Sequence, residues 1–132
     1  MTTEKPIENE TNAIWVIADH IDGTLNPVTF QLLGQARKLA DHLGKKVSCV
    51  IFGDGIEKMT NSLIESGADI VYKAEAPEVK LYQQAIYRDT LVFLANQKQP
   101  DMIFLGSTSV GRELAPLVAA ELETGLSAHC ID

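Results

Sequence analysis

Four apolar runs rich in β-branched or aromatic residues recur along the chain, and a segment with helical spacing follows each one. The runs are "AIWVIAD" (13–19), "KVSCVIF" (46–52), "DIVYKAE" (69–75) and "MIFL" (102–105), and "LSAHCID" (126–132) can form a fifth. This alternation constrains the fold more than any other feature. Strands and helices in regular succession build β-α-β units, so the sheet is parallel and covered on both faces. The nearly continuous apolar character of the runs agrees with burial from both sides. Ligands in such sheets bind beyond the strand carboxyl ends, near the point where strand order reverses. That nominates the loops after Ala18, Phe52, Ala74 and Leu105.

The intervening segments carry helix punctuation. "HIDGTLN" (20–26) reads as a loop turning at Asp22-Gly23, after which Asn26 is an N-cap and Pro27 a first-turn proline. Val28, Leu32, Leu33, Ala36, Leu39, Ala40 and Leu43 keep one face, and Gly44 ends the helix. A second helix spans about 56–66, with Met59, Leu63 and Ile64 inward and Gly67 closing it. A third runs from about Lys80 to Asn96, with Tyr82, Ala85, Ile86, Leu91 and Leu94 along one stripe. A fourth opens near Arg112 and ends near Leu122.

At 132 residues, 45% of them hydrophobic, the chain is one globular domain. Its apolar runs fall far short of the ~18–20 residues of a membrane span. Residues 1–12, "MTTEKPIENETN", lack the basic start and apolar centre of a secretion signal and read as a flexible polar tail. A cytoplasmic setting is expected, or a mitochondrial matrix in a eukaryote. The net charge is −7, with nine acidic residues in 1–66 and nine in 67–132, so no basic face is left for nucleic acid. Cys49 and Cys130 each sit in a strand-like run. Reduced, buried thiols are the expectation, with a bridge between neighbouring strands the alternative.

The most suggestive stretch is "GSTSVGRE" (106–113), between the fourth run and its helix. Gly106 and Gly111 have the separation of the phosphate-binding pattern G-x-x-x-x-G-K-[ST]. Arg112 replaces the lysine, however, and Glu113 replaces the hydroxyl that would ligate Mg²⁺. A carboxylate there repels phosphate, which argues against nucleotide hydrolysis. Three readings stay open for Thr108, Ser109, Gly111 and Arg112: a helix cap, an interface anchored by arginine, or a non-hydrolytic anion site. Asp19, His20 and Asp22 could ligate a metal, but no second cluster completes the set, so a solvated loop is expected. His42 suits a helix C-terminus, and His129 and Cys130 lie on opposite strand faces. No nucleophile–base–acid set is present, and the chain is not expected to be an enzyme.

Three stretches together resemble the N-terminal domain of the electron transfer flavoprotein α subunit. They are "WVIADHIDGTLNPVTFQLLGQARKLADHLG" (15–44), "ESGADIVYKAEAPEVKLYQQAIYRDTL" (65–91) and "GSTSVGRELAPLVAAELETGLSAHCID" (106–132). The resemblance covers 13–132. It implies a three-layer α/β/α sandwich with a mostly parallel sheet, Rossmann-like and similar to the adenine nucleotide α-hydrolase-like fold. It implies a scaffold and docking domain paired with a homologous β subunit. The heterodimer carries electrons from acyl-CoA dehydrogenases or related flavoenzymes to a quinone reductase, ferredoxin or nicotinamide partner. FAD belongs chiefly to a C-terminal domain that the family places after these residues, so FAD binding is expected of the full heterodimer and not of these residues alone. Thr108, Ser109, Gly111 and Arg112 become an interface or cofactor-proximal loop. The competing expectation is a stand-alone nucleotide-binding module resembling the universal stress proteins. The unbroken helix after Arg112 and the absence of their more glycine-rich phosphate loop weigh against it.

Overall fold

The computed structural model describes residues 12–21, 23–76, 84–106, 109–121 and 127–131. In chain order the elements are β1 Ile14–Ile17, β2 His20–Ile21, β3 Thr24–Leu25, α1 Pro27–Leu43, β4 Val47–Gly53, α2 Glu57–Glu65, β5 Ile70–Glu75, α3 Gln84–Lys98, β6 Met102–Gly106, α4 Ser109–Glu121 and β7 Ser127–Ile131. Five strands pair in parallel in the order β5-β4-β1-β6-β7. From β1 the chain winds outward through β4 and β5, then returns to the opposite side of β1. Strand order therefore reverses between β1 and β6.

Successive strand residues point to opposite faces, and each face has its own core. Trp15, Ile17, Val50, Phe52, Ile103 and Leu105 pack with Tyr87, Leu91 and Leu94 of α3 and Leu114 and Val118 of α4. On the other face Ile14, Val16, Cys49, Ile51 and Phe104 meet Leu32, Leu33 and Ala36 of α1 and Met59 and Leu63 of α2. Helices on both sides of one parallel sheet make the expected three-layer, Rossmann-like sandwich.

The punctuation of α1 is as the sequence predicts. The Asn26 side chain accepts from the Val28 N–H at 3.0 Å, Pro27 starts the helix, and Gly44 closes it in the left-handed conformation at φ 70°. Three expectations need correction. Residues 20–25 are not an open loop, because His20 and Ile21 pair antiparallel with Leu25 and Thr24 in a two-residue hairpin. Ile64 is 51% exposed, since Met59 and Leu63 set the inward stripe and Ile64 lies about 100° further round. On α3, Leu91 and Leu94 are buried but Ala85 and Ile86 are exposed, and Tyr82 lies outside the described residues. The buried stripe is Tyr87, Leu91, Leu94, Ala95 and Lys98. Tyr87 fixes that rotation by stacking on Phe52, with ring centroids 4.0 Å apart and planes 11° from parallel.

Strand order also decides between the two expectations for the cysteines. β4 and β7 are separated by β1 and β6, about 14 Å at the usual strand spacing, beyond the reach of a disulfide. Cys49 is a free, buried thiol whose pKa burial pushes up to about 12.

At the amino ends of the strands, Asp69 joins three elements. Its Oδ2 accepts from the Val47 N–H at 2.9 Å and from Arg37 of α1 at 2.8 Å. Arg37 also donates to the Gly67 carbonyl at 3.0 Å. Burial alone would raise the Asp69 pKa, but the Val47 amide and the Arg37 guanidinium outweigh it and hold the carboxyl below its ordinary value. A depressed carboxylate pKa adds stability above the unfolded-state value near 4, and that stability is lost as pH falls through the folded-state value. Asp69→Asn is therefore expected to cost about 1–2 kcal/mol at pH 7. The gap to wild type should close as pH drops from about 5 into the acid limb. Urea midpoints at neutral pH and at pH 3 measure it, and an equal gap at both would show that the charge contributes nothing.

Candidate functional site

The carboxyl ends of β1, β4 and β6 meet at the reversal of strand order, and the residues there are tightly interlocked. Thr29, fully buried in the first turn of α1, holds the end of β1. The Asp19 N–H donates to Thr29 Oγ1 at 3.1 Å, and the Thr29 hydroxyl donates back to the Asp19 carbonyl at 3.3 Å. The Asn26 N–H donates to the same carbonyl at 2.8 Å. The chain thus leaves at Asp19, forms the β2–β3 hairpin, and returns to Asn26 beside its point of departure.

The hairpin lays His20 across the end of β4. Its Nε2–H donates to the Phe52 carbonyl at 2.5 Å. The ring is so close that a Cβ on Gly53 would lie 3.0 Å from Nε2, and 2.5 Å from Ile56 Cγ2. Val28, from the first turn of α1, covers the end of β6 in the same way. A Cβ on Gly106 would fall 2.8 Å from Val28 Cγ1. Side chains of this chain therefore pack closely on the last residues of β4 and β6. Across the sheet, burial raises the Tyr87 pKa and the Asp19 carboxylate raises it further.

The glycine pair of the 106–113 stretch is brought together, with the start of α4 lying against the end of β6. α4 begins at Ser109, three residues before the position read from the sequence, so Gly111 sits inside its first turn. A Cβ on Gly111 would lie 1.9 Å from the Gly106 carbonyl oxygen. No side chain fits there, and the glycine lets the helix start press on the strand end, a role glycine also has in dinucleotide folds. Arg112 and Glu113 are exposed on the following positions, and Thr108 lies outside the described residues.

His20 Nε2 is bonded to the Phe52 carbonyl, and Asp22, named beside it from the sequence, lies outside the described residues. Among the described residues no group of three His, Cys, Asp or Glu side chains could hold a metal ion. No described helix is long and apolar enough to cross a membrane. Sequence reasoning missed Thr29, His20 and Val28 as organisers of this end. The available signal was Thr29 itself, a polar residue one helical turn before Leu33 on an otherwise apolar stripe.

A family model described as "Electron transfer flavoprotein domain" matches residues 14–132. Among similar proteins, the electron transfer flavoprotein subunit alpha of Thermoanaerobacterium thermosaccharolyticum is 40% identical over 122 residues, 92% of this chain and 37% of that protein. The subunit of the same name from Megasphaera elsdenii is 37% identical over 121 residues, 92% of this chain and 36% of its own. The LctC subunit of the NAD(+),ferredoxin lactate dehydrogenase of Acetobacterium woodii is 40% identical over 117 residues, 89% of this chain and 28% of that protein. The chain thus spans about a third of the length of these curated relatives. Among solved structures, a universal stress protein in complex with cAMP superposes with a TM-score of 0.55 at 20% identity, covering 91% of this chain and 96% of the other. At that identity the likeness concerns the fold.

Proposed function

Because the chain belongs to the electron transfer flavoprotein family, we propose that it is the N-terminal scaffold and partner-docking domain of an α-type subunit. The observation that carries this reading is the match to α subunits along nearly the whole chain but only about a third of their length. A domain of that kind supports a cofactor held elsewhere. The close packing of His20 and Val28 on the last residues of β4 and β6 supports the reading, because it narrows the strand ends where folds of this kind hold a nucleotide. In this reading FAD belongs to the full α-type subunit assembled with a β-type subunit. The heterodimer takes electrons from acyl-CoA dehydrogenase-type or other flavoproteins in the cytoplasm, and this domain performs no chemistry on a substrate.

Docking would use the end of the sheet where the interlocked loops are rigid. Ile21 at the hairpin is 71% exposed and Phe30 in α1 is 40% exposed, so apolar side chains stand on a fixed base. We assign Ser109, Gly111 and Arg112 at the start of α4, with Thr108 before them in sequence, to the subunit interface or to the flavin's vicinity.

The test is assembly. An α-type polypeptide containing these residues is expected to co-purify with a β-type subunit and retain FAD, and one lacking residues 13–132 is expected to lose the partner. Undiminished assembly without them would end the scaffold reading. On its own, the chain is expected to be colourless after gentle purification and to give no heat with AMP or ATP in a calorimeter. Stoichiometric flavin absorbance would contradict the first expectation, and saturable nucleotide binding would favour the stress-protein-like module.

A further inference from the structure

Two buried polar atoms in the middle of the sheet have no hydrogen-bond partner among the described residues: the indole Nε1 of Trp15 and the Oγ of Ser48. Both residues are 0% exposed. They are register partners on adjacent parallel strands, so their side chains leave the same face, the one covered by α3 and α4. The indole does not stand upright over its own strand. Its ring centroid is 5.7 Å from that of Tyr72 on β5, and β4 lies between those two strands, so the two rings meet above β4. Ser48 is the small β4 residue in register with Trp15, on the strand toward which the indole leans. The surroundings are not wholly apolar either, because Lys98 of α3 is 2% exposed with its Nζ 5.5 Å from the Tyr72 ring centroid.

We propose that Trp15 Nε1 and Ser48 Oγ form an internal hydration site, in which one ordered water molecule bridges β1 and β4 beneath α3. The chemistry selects the occupant. An indole N–H only donates, whereas a serine hydroxyl donates or accepts, so the bridging molecule must accept from the first and exchange a bond with the second. Water does both in the space of one atom. Buried waters characteristically satisfy polar groups of this kind, and pairs of unpartnered buried donors are otherwise rare. An apolar occupant would leave both atoms unsatisfied.

Trp15 is the single tryptophan of the chain, so its indole proton gives one unambiguous resonance. In the full chain that proton is expected to show a direct cross-relaxation peak to water. Ser48→Gly removes one of the two atoms that hold the water, and the peak is expected to weaken several-fold there. Absence of the peak in the wild type, or an undiminished peak in Ser48→Gly, overturns the proposal. Diffraction data good enough to show ordered water decide the matter independently if Ser48→Gly does not fold. Density within hydrogen-bond distance of both atoms supports the site, and a dry contact or a direct Trp15–Ser48 bond overturns it.

Discussion

Gly111→Ala is expected to lower the thermal midpoint of the chain by roughly 10 °C or more, equivalent to a loss of about 3 kcal/mol or more for a domain of this size. The added methyl would lie 1.9 Å from the Gly106 carbonyl oxygen, a backbone atom at the end of β6 that cannot swing aside. Relief requires α4 to slide away from the sheet, and Leu114 and Val118, both fully buried, would be pulled out of the core with it. Gly34→Ala is the matched control. That glycine lies within α1 with nothing within 4 Å of an added Cβ, so alanine should stabilise by about 0.5–1 kcal/mol through helix propensity. Melting curves of the two variants should move in opposite directions. A Gly111→Ala protein melting with the wild type would mean that the helix start is free to shift.

Arg112→Ala is expected to do the reverse: little to the isolated chain, much to the assembled heterodimer. Arg112 is exposed, on the turn after Gly111, at the end of the sheet assigned to docking. An exposed ion pair is worth about 0–1 kcal/mol, so the chain alone should melt almost unchanged. An arginine desolvated at an interface costs about 2–5 kcal/mol when truncated, much of it from the partner group left unpaired. Dissociation of the heterodimer and its FAD retention are measured beside thermal unfolding of the chain alone. If assembly and flavin content hold while the isolated chain melts early, Arg112 is a structural residue.

These two neighbours show what the sequence disclosed and what it concealed. The spacing of Gly106 and Gly111 is visible in one dimension, and it suggests a phosphate loop. Their meaning depends on a contact between a helix turn and a strand carbonyl, which spacing alone cannot show. The same division holds for the elements. Asn26, Pro27 and Gly44 act on their own backbone, so they placed both ends of α1 correctly. The rotation of α3 was misjudged because Tyr87 takes its orientation from Phe52, 35 positions earlier in the chain. The β2–β3 hairpin escaped because strands of two residues are too short to show a period, and only the Asp22-Gly23 turn was readable. Thr29 stood in plain sight, but its bonds to Asp19 exist only once the hairpin has closed.

The position of β1 at the centre of the sheet bears on how the chain is made. One edge of β1 pairs with β4, which leaves the ribosome soon afterwards, but its other edge pairs with β6, whose residues are synthesised some 85 positions later. At about 5–20 residues per second, that second edge stays unsatisfied for on the order of ten seconds. During this interval a nascent half-sheet of β5, β4 and β1 carries Ile14, Trp15, Val16 and Ile17 along an open border, the kind of surface on which stray strands add. The most protected strand of the finished molecule is thus the most vulnerable one during translation, and the arrival of β6 is the step that ends the hazard.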